Sequence, residues 1–227
     1  MKVALVDTVK KKEGEKLLSA AGFSIVSCNP DMVVSYGGDG TIMRAEQKFP
    51  GVPILPLRAS MVCKLCPDIS NEEILSRVKN GKFAVSEMWK IQASTKGVTL
   101  DGMNDVIVHN ADPRHAIRYT VFVNNKPMGG EIIGDGMVIA TPFGSTGYYR
   151  SITDSYFEVG IGVAFNNSTE QSDHIVLDEN SVIGISVLRG PAIVYVDNRK
   201  ETIFLGENDI VEIRKSDKIA RVVVLLD

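Results

Sequence analysis

The run Gly37-Gly38-Asp39-Gly40-Thr41 constrains this chain more than any other stretch. It follows the apolar segment Met32-Val33-Val34-Ser35-Tyr36. It precedes residues 41–49, where Ile42, Ala45 and Phe49 fall on one helical face. Strand, glycine turn and helix start, in that order, aim unpaired backbone N–H groups and the positive end of a helix dipole at whatever lies above the turn. The glycines remove the Cβ atoms that would keep a phosphate off the backbone. Asp39 stands in the middle of this loop. A carboxylate is a poor phosphate ligand, so Asp39 reads better as a proton acceptor or as a metal or water partner. A plain βα turn whose Asp39 caps the helix is an equal reading of the stretch by itself.

The surrounding pattern gives the fold class. Residues 2–6 read as a buried strand. Residues 10–21 read as a helix striped by Leu17, Leu18 and Ala21 and stopped by Gly22, and residues 23–26 and 52–57 as further strands. Ser70-Asn71-Glu72-Glu73 is a capping box that opens a helix running to Asn80-Gly81. Strands alternating with helices predict an α/β N-terminal domain, a small parallel sheet with helices. After Gly81 helical periodicity stops. Short β-rich runs follow at 83–85, 89–93, 118–123, 137–140, 182–188, 193–196 and 203–205, with Asp101-Gly102, Asn124-Asn125 and Asp197-Asn198 as turn dipeptides. This predicts an all-β C-terminal domain. The last run, Arg221-Val222-Val223-Val224-Leu225-Leu226, does not alternate, which points to burial on both faces and a strand returning to the N-terminal domain. The expected division is 1–82, with 206–227 packing back on it, and 83–205.

A chain of 227 residues with 44% hydrophobic and 23% charged residues has ample core for two modest domains. Its net charge of −3 gives no support to a nucleic-acid partner. Asp7 follows the start too soon for a signal peptide, and no apolar run approaches membrane-spanning length, so no membrane partner and a cytoplasmic location are expected. Cys63-Lys64-Leu65-Cys66 has CxxC spacing, but no second pair accompanies it and His109, His115 and His174 are scattered. Plain thiols near the domain junction are the favoured reading, ahead of a labile metal or disulfide pair.

A second informative stretch lies downstream: Gly134-Asp135-Gly136-Met137-Val138-Ile139-Ala140-Thr141-Pro142-Phe143-Gly144-Ser145-Thr146-Gly147-Tyr148. A GDG turn leads through a strand into a loop of hydroxyls and small residues, which suits ribose and phosphate groups. Between the two glycine stretches, Asn104-Asp105 stands at the edge of the strand Val106-Ile107-Val108. In this order the three motifs resemble the NAD kinase family, marked by a GGDGT loop, an Asn-Glu pair and a segment similar to GDGxxxxTPxGSTxY. Phosphofructokinases and lipid kinases carry loops similar to the first motif; the long third segment separates the NAD kinases from them. No Walker lysine motif is present.

The resemblance implies an α/β domain, a β domain and a cleft between them. It implies ATP-dependent phosphorylation of the 2′-hydroxyl on the adenosine ribose of NAD, giving NADP, with Asp39 as the general base. Gly38, Gly40 and Thr41 would hold phosphate oxygens of ATP. Asn104 and Asp105 would contact the ribose or adenine of NAD and Asp135 its carboxamide end, while Thr146, Gly147 and Tyr148 line the adenosine pocket, with Ser151 matching a further family serine. Mg²⁺ would arrive with ATP, with no dedicated metal site in the protein, and the chain would form a homodimer or homotetramer. The chain departs from the pattern in three places. Asp105 replaces a Glu, Ser151-Ile152-Thr153-Asp154 stands where a GGP normally follows the tyrosine, and Leu57-Arg58-Ala59-Ser60 replaces a loop of Gly-x-Asn type. Arg58 reads as a surface charge, with a phosphate contact as the other option. These departures motivate two alternatives: a non-catalytic NAD or nucleotide-binding sensor, and a related GGDGT kinase acting on another hydroxyl substrate.

Overall fold

In the computed structural model, residues 1–7, 10–170 and 172–226 are described. Their elements begin β1 (Lys2–Asp7), α1 (Lys11–Ala20), β2 (Ser24–Ile25), β3 (Met32–Gly37), α2 (Asp39–Lys48), β4 (Ile54–Arg58), α3 (Asn71–Lys79) and β5 (Phe83–Thr95). There follow β6 (Val98–Gly102), β7 (Asp105–Asn110), β8 (Ile117–Val123), β9 (Lys126–Gly134), β10 (Gly136–Ala140), a 3₁₀ turn (Gly144–Thr146) and α4 (Tyr148–Thr153). The chain ends with β11 (Ile161–Asn166), β12 (His174–Leu177), β13 (Ile183–Arg189), β14 (Ala192–Val196), β15 (Ile203–Leu205) and β16 (Ile210–Leu225). Two compact units result, Met1–Met88 with Ile219–Asp227, and Trp89–Lys218.

The first unit is the expected α/β layer. β2, β1, β3 and β4 run parallel in that order, with Val3 opposite Met32 and Val33 opposite Ile54. The far end of β16 joins them, Val222 lying opposite Ile54, so the C-terminal strand returns to the N-terminal domain as its pattern predicts. Its burial is narrower than the continuous apolar run suggests. Val222 and Val223 are buried, but Val224 is 42% exposed, because covering on both faces ends one residue later. Leu18, Val34, Leu57, Ile74, Leu75 and Val223 share one core. Ser70 caps α3, its Oγ accepting the Glu73 N–H at 3.2 Å. This is the N-cap half of the geometry that the capping box calls for.

The second unit is β-rich. β12, β11, β10, β7, β14 and β15 form one antiparallel sheet. β13 lies between β8 and the early part of β16, and β8 pairs with β9. Inward residues of both layers, among them Val108, Tyr119, Ile139, Val163, Ile185 and Val194, make a single core, the arrangement of a β-sandwich. β10 is buried along its whole length. Met137 and Ile139 face that core, while Val138 and Ala140 lie under Tyr149 and Phe157. The short helix α4 thus covers the second face of a central strand, which is why its segment is apolar at Tyr149 and Ile152.

Two local expectations change. The runs at 83–85 and 89–93 are one 13-residue strand, β5, whose exposed middle residues Ser86 and Glu87 break the apolar pattern. Asp101-Gly102 is no turn; it ends β6, and the hairpin instead closes at Lys96-Gly97, both with positive φ. Asp101 is drawn inward because its carboxylate accepts from Ser216 and from Lys218 Nζ at 2.6 Å. By contrast, Asn124 and Asn125 both take positive φ, as a tight hairpin turn requires.

Candidate active site

In the first unit the glycine turn ends β3 and opens α2. Gly38 precedes the helix in extended conformation, and Asp39 is its first residue. Asp39 does not cap the helix: its Oδ1 accepts the backbone N–H of Lys64 at 2.8 Å. A Cβ on Gly38 would sit 2.2 Å from the Val62 carbonyl oxygen, so only glycine lets the 60–66 loop lie this close. Thr41 is buried, with its Oγ1 against Gly37 and its N–H donated to Gly38 O at 2.8 Å; it shapes the turn.

The 60–66 loop corrects two readings. Cys63 and Cys66 are joined in a disulfide, not held as plain thiols, because the chain folds their Cα atoms to 5.4 Å; Cys28 is a free, exposed thiol. Arg58 is more than a surface charge. Its Nη2 donates to the carbonyl oxygens of Cys66 at 3.2 Å and Cys63 at 3.4 Å, and Asn71 holds the Arg58 backbone through both N–H and C=O.

In the second unit the downstream motifs converge. Gly136 takes φ +135, and a Cβ there would lie 1.9 Å from Val108 O, so the GDG turn needs its second glycine. At Gly144 a Cβ would lie 2.0 Å from Asn104 O. That contact, with Thr141 N–H donated to Asn104 O at 2.9 Å and Thr141 Oγ1 to Met103 O at 2.6 Å, docks the hydroxyl-rich loop onto Asn104. Asn104 Nδ2 donates to Asp105 Oδ2 at 2.7 Å. Asp105 is buried, and burial together with the nearby charge of Asp197 raises its pKa to about 7, against the smaller opposing effect of Asn104. Burial also raises the Asp197 carboxyl, although it accepts the N–H groups of Met103 and Asn104 at 2.8 Å and of Asp105 at 3.3 Å. Reading Asp197-Asn198 as a hairpin turn finds the bend and misses this role.

A second cluster surrounds Asp135 and Tyr148. Asn110 Nδ2 donates to Asp135 Oδ1 at 3.1 Å and Asn167 Nδ2 to Oδ2 at 3.0 Å. Asn166 Nδ2 donates to Tyr148 Oη at 3.1 Å, which leaves the phenol O–H to donate elsewhere; burial, then the Asp135 charge, raises its pKa. His109 Nδ1 lies 3.1 Å from Asn110 O, and a carbonyl can only accept. The proton therefore sits on Nδ1, and Nε2 accepts from Asn166 at 3.4 Å. Tyr148 and Ser151 line a cleft of about 480 Å³ with Ile152, Asn166, Asn167 and Asp173. Its size suits a small-molecule ligand. Thr146 and Gly147 lie at the loop tip, and Asp135 is half-buried. Asn110, Asn166 and Asn167 carry no spacing signal; the only sequence hint is a pair of amides closing an apolar strand.

The family model for the ATP-NAD kinase C-terminal domain matches residues 103–225. The chain belongs to the NAD kinase family. It is 28% identical over 207 residues to the NAD kinase of Clostridium perfringens, covering 85% of this chain and 74% of that one. It is 28% identical over 231 residues to the NAD kinase of Methanothermobacter thermautotrophicus, covering 96% and 81%. Among solved structures, an Archaeoglobus fulgidus NAD kinase in complex with ATP aligns at TM-score 0.79 with 23% identity, over 98% of this chain and 93% of that one. Yeast NADH kinase complexed with NADH aligns at TM-score 0.86 with 15% identity, over 99% and 83%. At these identities the two structures speak for the fold, an α/β unit followed by a β-rich one, as the NAD kinase resemblance implies.

Proposed function

We propose that the chain transfers the γ-phosphoryl group of ATP to the 2′-hydroxyl of the adenosine ribose of NAD, giving NADP, with Asp39 as general base. The observation that carries this reading is the Asp39 carboxylate, placed by a glycine turn at the first residue of α2 in a chain of the NAD kinase family. Phosphoryl transfer asks a protein for alignment, charge neutralisation and one acceptor for the hydroxyl proton. With Oδ1 engaged by Lys64 N–H, Oδ2 of Asp39 is the oxygen assigned to that proton. Gly40 is assigned the close approach of phosphate oxygens to the backbone at the positive end of α2, while Gly38 admits the 60–66 loop and Thr41 holds the turn.

In the second unit Asn104, Asp105, Asp135, Thr146, Gly147, Tyr148 and Ser151 are assigned to the dinucleotide. Tyr148 keeps its proton and donates, while Asp135, its oxygens steered by two amides, remains an acceptor. Among the described residues no three His, Cys, Asp or Glu side chains gather as a metal cage. Mg²⁺ is proposed to enter as part of the ATP substrate, where its charge offsets that of the phosphate oxygens. The proposal extends to a homodimer or homotetramer in the cytoplasm, and light scattering reads the oligomeric state.

Purified protein with ATP, Mg²⁺ and NAD is expected to form NADP. Asp39→Asn is expected to lower kcat by about 10²-fold or more while leaving the melting temperature unchanged, the scale of losing a general base. NAD that raises the melting temperature of the intact protein without any NADP appearing would replace this reading with the sensor.

A further inference from the structure

Asp39 has a second anchor that the turn itself does not supply. Lys64, whose N–H meets Asp39 Oδ1 at 2.8 Å, lies inside the four-residue ring closed by the Cys63–Cys66 disulfide. The ring is fixed from below by Arg58, which donates to the carbonyl oxygens of both cysteines, and Arg58 is fixed in turn by Asn71 at the start of α3. A continuous path therefore runs from α3 through Arg58 and the ring to the carboxylate. Met61, Val62 and Lys64 are exposed, so burial does little to hold this part of the loop. Opening the disulfide removes the covalent closure that spans Lys64 and leaves the placement of its N–H on Asp39 to non-covalent contacts alone.

We propose that the Cys63–Cys66 disulfide is a positioning element for Asp39: closed, it keeps the Lys64 N–H on Oδ1 and aims Oδ2 at the substrate hydroxyl; open, it lets the carboxylate rotate out of line. This rests on the assignment of Asp39 as the base. It makes phosphoryl transfer sensitive to a dithiol reductant. One thiolate of the dithiol attacks a sulfur of the disulfide to give a mixed disulfide, and its second thiol displaces the cysteine. Two electrons and two protons pass to the protein, leaving Cys63 and Cys66 as thiols and the reductant as a cyclic disulfide. Each cysteine is only 7% exposed, so the exchange waits on fraying of the loop and is slow in the folded enzyme.

The test compares NADP formation by the full chain before and after dithiothreitol, with thiol titration showing one free thiol rising to three. Amide hydrogen exchange at Lys64 is followed in both states. Reduction is expected to lower kcat roughly tenfold, the scale of a misaimed catalytic group, with the KM values for ATP and NAD unchanged and the melting temperature of each unit retained. Reoxidation restores kcat, and Cys66→Ser behaves as the reduced enzyme and ignores dithiothreitol. Protection of the Lys64 amide is lost with the disulfide. Equal kcat in both states, a rise in kcat on reduction, or a Lys64 amide protected equally in both would overturn the proposal. If no NADP forms in either state, the kinase reading fails separately, and the Lys64 exchange alone decides whether the ring holds Asp39.

Discussion

Replacing Asp105 by asparagine should stabilise the protein, by an amount that grows as pH rises from about 4 to about 7 and then levels off. Asp105 is buried beside Asp197, and its pKa rises from an ordinary 3.8 to about 7. A carboxyl whose pKa is raised by folding contributes stability that is complete below the unfolded value, near 4, and is lost as pH climbs through the folded value, near 7. Between those limits the folded state holds one extra proton, so stability falls by about 1.4 kcal/mol per pH unit. The total is on the order of 4 kcal/mol at pH 8. The amide introduced by Asp105→Asn is neutral throughout and still offers an oxygen to Asn104 Nδ2. Differential scanning calorimetry of the wild type and Asp105→Asn from about pH 3.5 to about pH 8.5 reads the effect. The two proteins are expected to melt together at the acid end. At pH 8 the variant should melt higher by roughly 10 °C, at about 2–4 °C per kcal/mol for a chain of this size. Parallel curves over the whole range would mean that Asp105 is ionised in the fold at little cost, and that the burial argument is wrong.

Two further outcomes follow from the geometry. Gly144→Ala places a Cβ 2.0 Å from Asn104 O and 2.7 Å from its carbonyl carbon, both backbone atoms without a rotamer to escape through. The 144–147 loop must lift, and steady-state kinetics should show KM for NAD rising about tenfold, the penalty of misplaced binding groups; an unchanged KM would remove that loop from the dinucleotide site. Ser70→Ala deletes the cap that takes the Glu73 N–H, and urea unfolding followed by a first-unit probe should show a loss of about 1 kcal/mol.

What the sequence made legible was local. A strand, a glycine turn and a helix start occupy consecutive residues, so Gly37 to Asp39 announce the βα turn without help from elsewhere. The same holds for Ser70 with Glu73, and for Asn124-Asn125, where the turn chemistry is written in two adjacent residues. Several misreadings were cases where a distant partner decides. Asp101 looks like a turn residue until Ser216 and Lys218, more than a hundred positions away, claim its carboxylate. Asp197 is a hairpin residue in sequence, but its side chain serves three N–H groups near Asn104. The CxxC pair resembles idle thiols because the fold that draws Arg58 and Asn71 around it leaves no periodic mark. In the candidate site, the residues proposed to face the ligand were legible from the motifs. The amides that orient them, Asn110, Asn166 and Asn167, were not, since a single amide at a strand end is common and becomes informative only when its acceptor is known.

β16 also bears on how the chain is made. Its early residues belong to the second unit, while Val222 completes the sheet of the first by pairing beside Ile54 of β4. During synthesis β4 therefore leaves the ribosome more than a hundred and fifty residues before its neighbour exists. Until then its edge offers unpaired N–H and C=O groups and the apolar side chains of Ile54, Leu55 and Leu57. Removing the last ten residues would leave that edge permanently open, turning a folding intermediate into an end state prone to pair with other copies of itself.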